Sequence, residues 1–167
     1  MQLLVIRHAI AMTPEAFAPT GADDSYRPLT DEGRRKMTAG ARGLRELVPS
    51  LDVLAASPFV RAQQTAAIVA EEYRGIPVET TDALEPDRAP STFLSWLRGV
   101  EGDVVAVVGH EPHLGMLVTW LLTGFTESRV PLKKGGACLL DAGSPPREGE
   151  AMLRWALTAS QLRRLGG

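Results

Sequence analysis

The sequence predicts an α/β protein in which strands alternate with helices to build a layered, mostly parallel sheet. Three observations carry this expectation. Short apolar runs at residues 2–6, 51–56 and 103–108 lack polar alternation, the pattern of strands buried on both faces. The first is followed by a loop and a helix and the other two by a short turn and a helix, so the strand-to-helix alternation recurs along the chain. The 167 residues, 44% apolar and 23% charged, suffice for one domain that buries roughly 70% of its unfolded surface but not for two full domains. A single domain over residues 1–167 is therefore expected, since no repeat, low-complexity tract or Gly/Ser/Pro-rich linker divides the chain.

The elements follow in order. Residues 2–6 form the first strand, with Arg7 and His8 at its carboxyl end. Pro14, Pro19, Gly21 and Pro28, with Asp23, Asp24 and Ser25 among them, make a loop of roughly twenty residues, longer than compact domains use without purpose and placed to close over a site. Thr30 with Asp31 and Glu32 behind it starts a helix, and Met37, Ala41, Leu44 and Val48 continue it at spacings of four, three and four until Pro49. Residues 51–56 are the second strand, stopped by Ser57-Pro58, and Ala62, Thr65, Ala66 and Val69 give the next helical face. Residues 78–81 read as a third strand, and Ser91, Phe93, Leu94 and Leu97 as a short helix ending at Gly99. Residues 103–108 are the strongest strand, β-branched and bounded by glycine on both sides, with Gly109 and His110 directly after it. A helix over 112–122 places Pro112 in its first turn, where a missing amide is harmless. The pattern then changes. Residues 136–141 and 152–157 read as an antiparallel hairpin around Gly143-Ser144-Pro145-Pro146, and a short helix over 160–165 follows.

Composition excludes several function classes. Eighteen Lys and Arg against 20 Asp and Glu leave a net charge of −2, without the basic excess that a broad nucleic-acid surface uses to displace counterions. The first residues lack a basic flank, and Arg7 and His8 interrupt their apolar stretch, so no signal peptide is expected. The stretch 114–125 is too short to span a bilayer and contains Gly115, Thr119, Thr123 and Gly124, so no membrane span is expected. The one cysteine, Cys138, cannot form an internal disulfide, and a reducing, cytoplasmic setting is the expectation. Fifteen of the basic residues are arginine, which fits either phosphate recognition by forked donors or biased codon usage.

In open parallel sheets, ligands bind beyond the carboxyl ends of the strands. Three such ends carry polar residues here: Arg7-His8, Ser57 and Gly109-His110. Arg61, four residues past Ser57, lies early in a helix that leads away from the same crevice. A strand-end histidine taken singly is more often structural, but the recurrence at equivalent positions points to convergence around an anion. These residue types suit phosphoryl transfer. Guanidinium groups match phosphate oxygens and neutralise them against an incoming nucleophile. A neutral imidazole, kept neutral by nearby guanidinium groups, attacks phosphorus to give a phosphohistidine that water hydrolyses. His8 fits that role, Arg7 and Arg61 the phosphate ligands, and His110, at the head of a helix, a donor to a phosphoryl oxygen. No metal or other cofactor is required.

Val5-Ile6-Arg7-His8-Ala9 resembles the strand-end RH motif of the histidine phosphatase superfamily, the phosphoglycerate mutase-like proteins. The segment from Ser57 to Ala66 resembles the family's second arginine segment, with Arg61 at its phosphate-binding position. Val108-Gly109-His110-Glu111-Pro112 resembles its second-histidine segment, and Arg27-Pro28-Leu29-Thr30 with Gly33 the lead-in to its first helix. The length, the run Gly109 to Leu114 and the run Leu132 to Gly136 look most like the SixA-type phosphohistidine phosphatases. The resemblance implies a compact three-layer α/β/α fold without large insertions. It also implies a phosphatase with His8 as nucleophile, Arg7 and Arg61 as phosphate ligands, and His110 as ligand and electrostatic stabiliser. Its substrate would be phosphohistidine in a protein, such as a histidine-phosphotransfer domain. A small phosphorylated metabolite, or a non-catalytic module that binds phosphate or a phosphoprotein, are the alternatives. Ala9 and Ile10 depart from the glycine and the acidic or amide residue that often follow RH in the wider family.

The proton donor is ambiguous. Glu85 is the first choice in the segment 82–87, Asp87 the second, and both also read as solvated loop charges. Phosphohistidine needs such an acid less than an ester does, because imidazole is a far less basic leaving group than an alkoxide. His8, His110 and His113 lack the companion ligands of a zinc site, and His113 either lines the pocket or caps the helix. Lys133, Lys134, Gly135 and Gly136 either touch phosphate or a partner, or form a basic turn before an edge strand. Trp96, Trp120 and Trp155 read mostly as core, and Cys138 as a buried, inert thiol.

Overall fold

A computed structural model describes residues 1–167. Strands β1 (Gln2–Arg7), β2 (Val53–Ala56), β3 (Val78–Thr80), β4 (Val104–Gly109), β5 (Ala137–Asp141) and β6 (Met152–Leu157) form one sheet in the order β3-β2-β4-β1-β5-β6. The first four are parallel, β5 runs antiparallel to β1, and β6 pairs antiparallel with β5. Leu3 to Ile6 and Val105 to Val108 are fully buried, as expected of strands covered on both faces.

Helices cover both faces. Leu4, Ile6, Leu54, Ala56, Ala106 and Val108 face a core closed by α2 (Asp31–Leu47), α3 (Val60–Glu72) and α6 (Ala159–Leu165). Leu3, Val5, Ala55, Val105, Val107 and Leu140 face the opposite core, closed by α4 (Pro90–Arg98) and α5 (His113–Thr123). This is the three-layer α/β/α arrangement. No helix is long and apolar enough to cross a membrane.

Local chemistry sets the ends. Thr30 caps α2 by accepting the Gly33 N–H, and Thr158 and Gln161 form a capping box on α6. β2 starts two residues later than the apolar run because Asp52 turns away to accept the N–H groups of Asp103 and Val104. The long loop is more ordered than its Pro and Gly content suggests. It contains a short helix, α1 (Pro14–Phe17), capped by Thr13, and 3-10 turns at Ala18–Thr20 and Asp24–Tyr26. The turn at Lys133 to Gly136 precedes an interior strand rather than an edge, because β5 lies between β1 and β6. Trp96, Trp120 and Trp155 are half-buried against the two cores.

Candidate active site

The carboxyl ends of β1, β2 and β4 are neighbours in the sheet, so adjacent strands about 4.8 Å apart bring Arg7-His8, Ser57 and His110 together. The His8 and His110 rings lie 5.2 Å apart between centroids, and Phe59 packs on the other side of His110 at 4.9 Å. Arg61, in the first turn of α3, sets its guanidinium 4.9 Å from the Phe59 ring. All four candidate phosphate-handling residues are therefore at one end of the sheet. His8, Arg61 and His110 are no more than 5% exposed.

Each side chain is aimed by a specific bond. His8 Nδ1 lies 2.7 Å from the Ala9 carbonyl. A carbonyl only accepts, so Nδ1 carries the proton and Nε2 keeps its lone pair. The Ala9 N–H donates to Thr65 Oγ1 at 3.0 Å, and Thr65 donates to the Arg61 carbonyl at 2.7 Å, which ties the histidine turn to α3. Gly33, in the first turn of α2, lets that helix pack against the same turn, since a Cβ there would collide with the Ile10 carbonyl oxygen. His110 Nε2 pairs with Ser57 Oγ at 2.8 Å.

The two arginines share one device. Arg7 Nη1 donates to the Leu132 carbonyl at 2.7 Å, and Arg61 Nη1 to the Asp24 carbonyl at 2.8 Å. One arm of each fork is thereby fixed on the main chain, while both Nε atoms are buried without a partner. Orphaned donors of this kind are what an oxyanion satisfies.

Electrostatics keep the imidazoles neutral. Burial, more than the opposing Ala9 bond, pushes His8 down to about 3, helped by the charges of Arg61, Arg7 and Arg27. Burial, with His8, Arg61 and His113 adding to it, brings His110 to about 2, and burial also lowers His113. Burial pulls Arg7 and Arg61 down as well, opposed by Glu111 and Asp24 respectively, and both stay charged at neutral pH.

The three histidines, all with lowered pKa values, are the only ones in the chain. Below about pH 6.5 the unfolded chain binds protons at these sites that the folded protein refuses, so stability falls as pH falls. His8 and His110 are each expected to remove up to about 1.4 kcal/mol per pH unit below that point, and His113 acts in the same direction. Urea unfolding at pH 7.0 and 5.5 checks this, and equal free energies would show that the folded protein accepts those protons.

Two residues read from the sequence only as parts of the long loop and of the lead-in to α2 join the site. Asp24 Oδ2 lies 3.0 Å from Arg61 Nη2, and its Oδ1 lies 2.7 Å from Arg27 Nε. Arg27 also donates to the Met12 carbonyl. The acidic and basic residues three apart in the long loop were the available signal. The loop does reach the site, through Asp24.

The remaining candidates divide. Glu85 pairs with Arg88 at 2.9 Å and lines an open cleft of about 430 Å³ with Tyr26 and Phe59, not the histidine pair itself. Asp87 is exposed. His113 is the first residue of α5, 1% exposed, with neither nitrogen bonded. Lys133 and Lys134 are exposed, whereas the Gly135 N–H donates to the carbonyls of Arg7 and His8 and so supports the turn. Cys138 is buried in β5, and burial pushes its thiol up to about 12. No group of three His, Cys, Asp or Glu side chains is placed to hold a metal ion.

The family model of the histidine phosphatase superfamily (branch 1) matches residues 3–85. An uncharacterized protein of Picosynechococcus sp. (strain ATCC 27264 / PCC 7002 / PR-6) is 33% identical over 147 residues, 86% of this chain and 87% of that one. Phosphohistidine phosphatase SixA of Escherichia coli (strain K12) is 27% identical over 168 residues, 98% of this chain and 97% of that one. Among solved structures, the protein histidine phosphatase SixA complexed with tungstate matches with a TM-score of 0.82 at 25% identity, over 97% of this chain and 99% of that one.

Proposed function

The chain belongs to the histidine phosphatase superfamily and is a phosphatase, and from that premise we propose that it hydrolyses phosphohistidine in a protein through a phospho-His8 intermediate. The observation that carries this reading is the His8 imidazole, neutral, with Nδ1–H fixed on the Ala9 carbonyl and Nε2 left as the nucleophile.

The first transfer forms a bond between His8 Nε2 and phosphorus as the bond from phosphorus to the substrate imidazole breaks. With its distal nitrogen already protonated, that imidazole leaves as a neutral molecule and takes the bonding pair. The positive charge passes to the His8 ring, where the bond from Nδ1–H to the Ala9 carbonyl strengthens. Arg7 and Arg61 hold the phosphoryl oxygens through the transfer. Water then adds to phosphorus, the pair returns to Nε2, and both water protons leave on the product phosphate. No metal takes part in either step.

Neither step asks a carboxylic acid to protonate the leaving group. Glu85, already paired with Arg88, is left out of both steps, and an acid-free route suits phosphohistidine better than an alkyl ester.

The test is phosphate release, in EDTA, from a phosphohistidine-bearing phosphotransfer domain and from a simple aryl phosphate. The protein substrate is expected to show a kcat/KM at least about 100-fold higher, equivalent to ~2.7 kcal/mol in the transition state. Glu85→Gln is expected to change it less than about threefold, since a bypassed acid contributes none of its usual factor. Release from the aryl ester alone would shift the substrate to small phosphorylated metabolites. Binding without release from either would leave a non-catalytic module.

A further inference from the structure

Glu111 follows the second histidine, and both of its carboxylate oxygens are engaged. Oε1 accepts the Leu132 N–H at 2.8 Å, and Oε2 accepts the Gly115 N–H in the first turn of α5 at 3.2 Å. Gly115 makes the second bond possible, because a Cβ there would stand 2.8 Å from Oε2 and 2.4 Å from Ser128 Oγ. The carboxylate thus staples the segment before β5 to the start of α5. Leu132 is the residue whose carbonyl takes Arg7 Nη1 at 2.7 Å. It is consequently held at its N–H by Glu111 and at its carbonyl by Arg7, with its side chain buried.

We propose that Glu111 is a positioning residue for the phosphate-binding fork of Arg7, acting through the main chain of Leu132. This rests on the reading of Arg7 as a phosphate ligand. The fork is planar and rigid, so the place where one arm is fixed decides where the other arm and Nε can meet an oxyanion. Displacement of the Leu132 carbonyl swings the whole fork, and errors of about 1 Å in such groups cost up to 100-fold. The carboxylate also faces the Arg7 charge and opposes the effect of its burial.

A merely structural staple would act differently, and the same segment supplies the comparison. Thr119 Oγ1 accepts the Arg129 N–H at 2.8 Å, a second tie between this segment and α5 that does not involve Leu132. Tungstate, a tetrahedral oxyanion, is titrated calorimetrically into wild type, Glu111→Ala, Glu111→Gln and Thr119→Val, with melting temperatures measured on each.

Glu111→Ala and Thr119→Val are both expected to lower the melting temperature by a few degrees. Only Glu111→Ala should weaken tungstate binding, by about tenfold. Glu111→Gln, which keeps an oxygen for the Leu132 N–H, should recover most of that loss even where Glu111→Ala folds poorly. Equal weakening by Thr119→Val, or wild-type affinity in Glu111→Ala and Glu111→Gln, would overturn the assignment alone. Failure of wild type to bind tungstate would overturn it together with the reading of Arg7 on which it stands.

Discussion

His8→Ala is expected to reduce kcat on a phosphohistidine protein by at least about 10⁴-fold, or ~5.5 kcal/mol of barrier, and to leave no acid-labile phosphate on the enzyme. Of the three imidazoles, His8 alone has Nδ1–H fixed on a carbonyl beside two guanidinium groups, with Nε2 bonded to no protein group. His110 has its Nε2 tied to Ser57 and cannot replace it. Loss of the nucleophile removes the covalent route, and direct attack by water would have only Arg7, Arg61 and His110 to assist it. Rapid quenching with radiolabelled substrate reads both quantities at once. Wild type should accumulate label that is stable to base and lost in acid. Because Arg7 and Arg61 remain, His8→Ala should still bind tungstate, which separates loss of chemistry from loss of fold. Turnover within tenfold of wild type would end the covalent reading.

The parts of this arrangement legible in the sequence are those set by local pattern. β1 and β4 were readable because burial on both faces leaves an apolar run with no alternation, and the strand ends then located Arg7, His8 and His110. Arg61 was readable from its place four residues past Ser57. What escaped depends on contacts between distant segments. Asp24 reaches Arg61 across 37 positions, a spacing that carries no periodic signal, and the strand ends placed Ser57 near His110 without showing the bond between them. The short helix at Pro14–Phe17 is too brief to show a face and was hidden among prolines. β5 gives the sharpest example. Lys133 and Lys134 before it suggest the charged approach to an edge strand, yet the strand lies inside the sheet beside β1. Its interior position is what brings Gly135 under His8 and Leu132 against Arg7, so a misplaced strand would have concealed the anchor of the first arginine.

Arg61→Met is expected to lower kcat/KM by about 10³-fold, or ~4 kcal/mol, while leaving stability within about 1 kcal/mol of wild type or raising it. The two effects diverge because the Arg61 charge is poorly placed for stability and well placed for function. Its side chain is 6% exposed, so burial of the cation carries a desolvation penalty that Asp24 and the Phe59 ring offset only in part. Methionine fills similar space against Phe59 without that penalty. Asp24 is not stranded by the change, since its side chain is 52% exposed and still pairs with Arg27. In the transition state the balance reverses. Charge is spread over the phosphoryl oxygens in a site of low polarity, where a fixed guanidinium is worth far more than in water. Urea unfolding and steady-state kinetics on the same variant test both halves. A loss of several kcal/mol in stability alongside the loss of activity would make Arg61 a structural residue, whereas stable protein with collapsed kcat/KM would place its buried charge in the service of phosphoryl transfer.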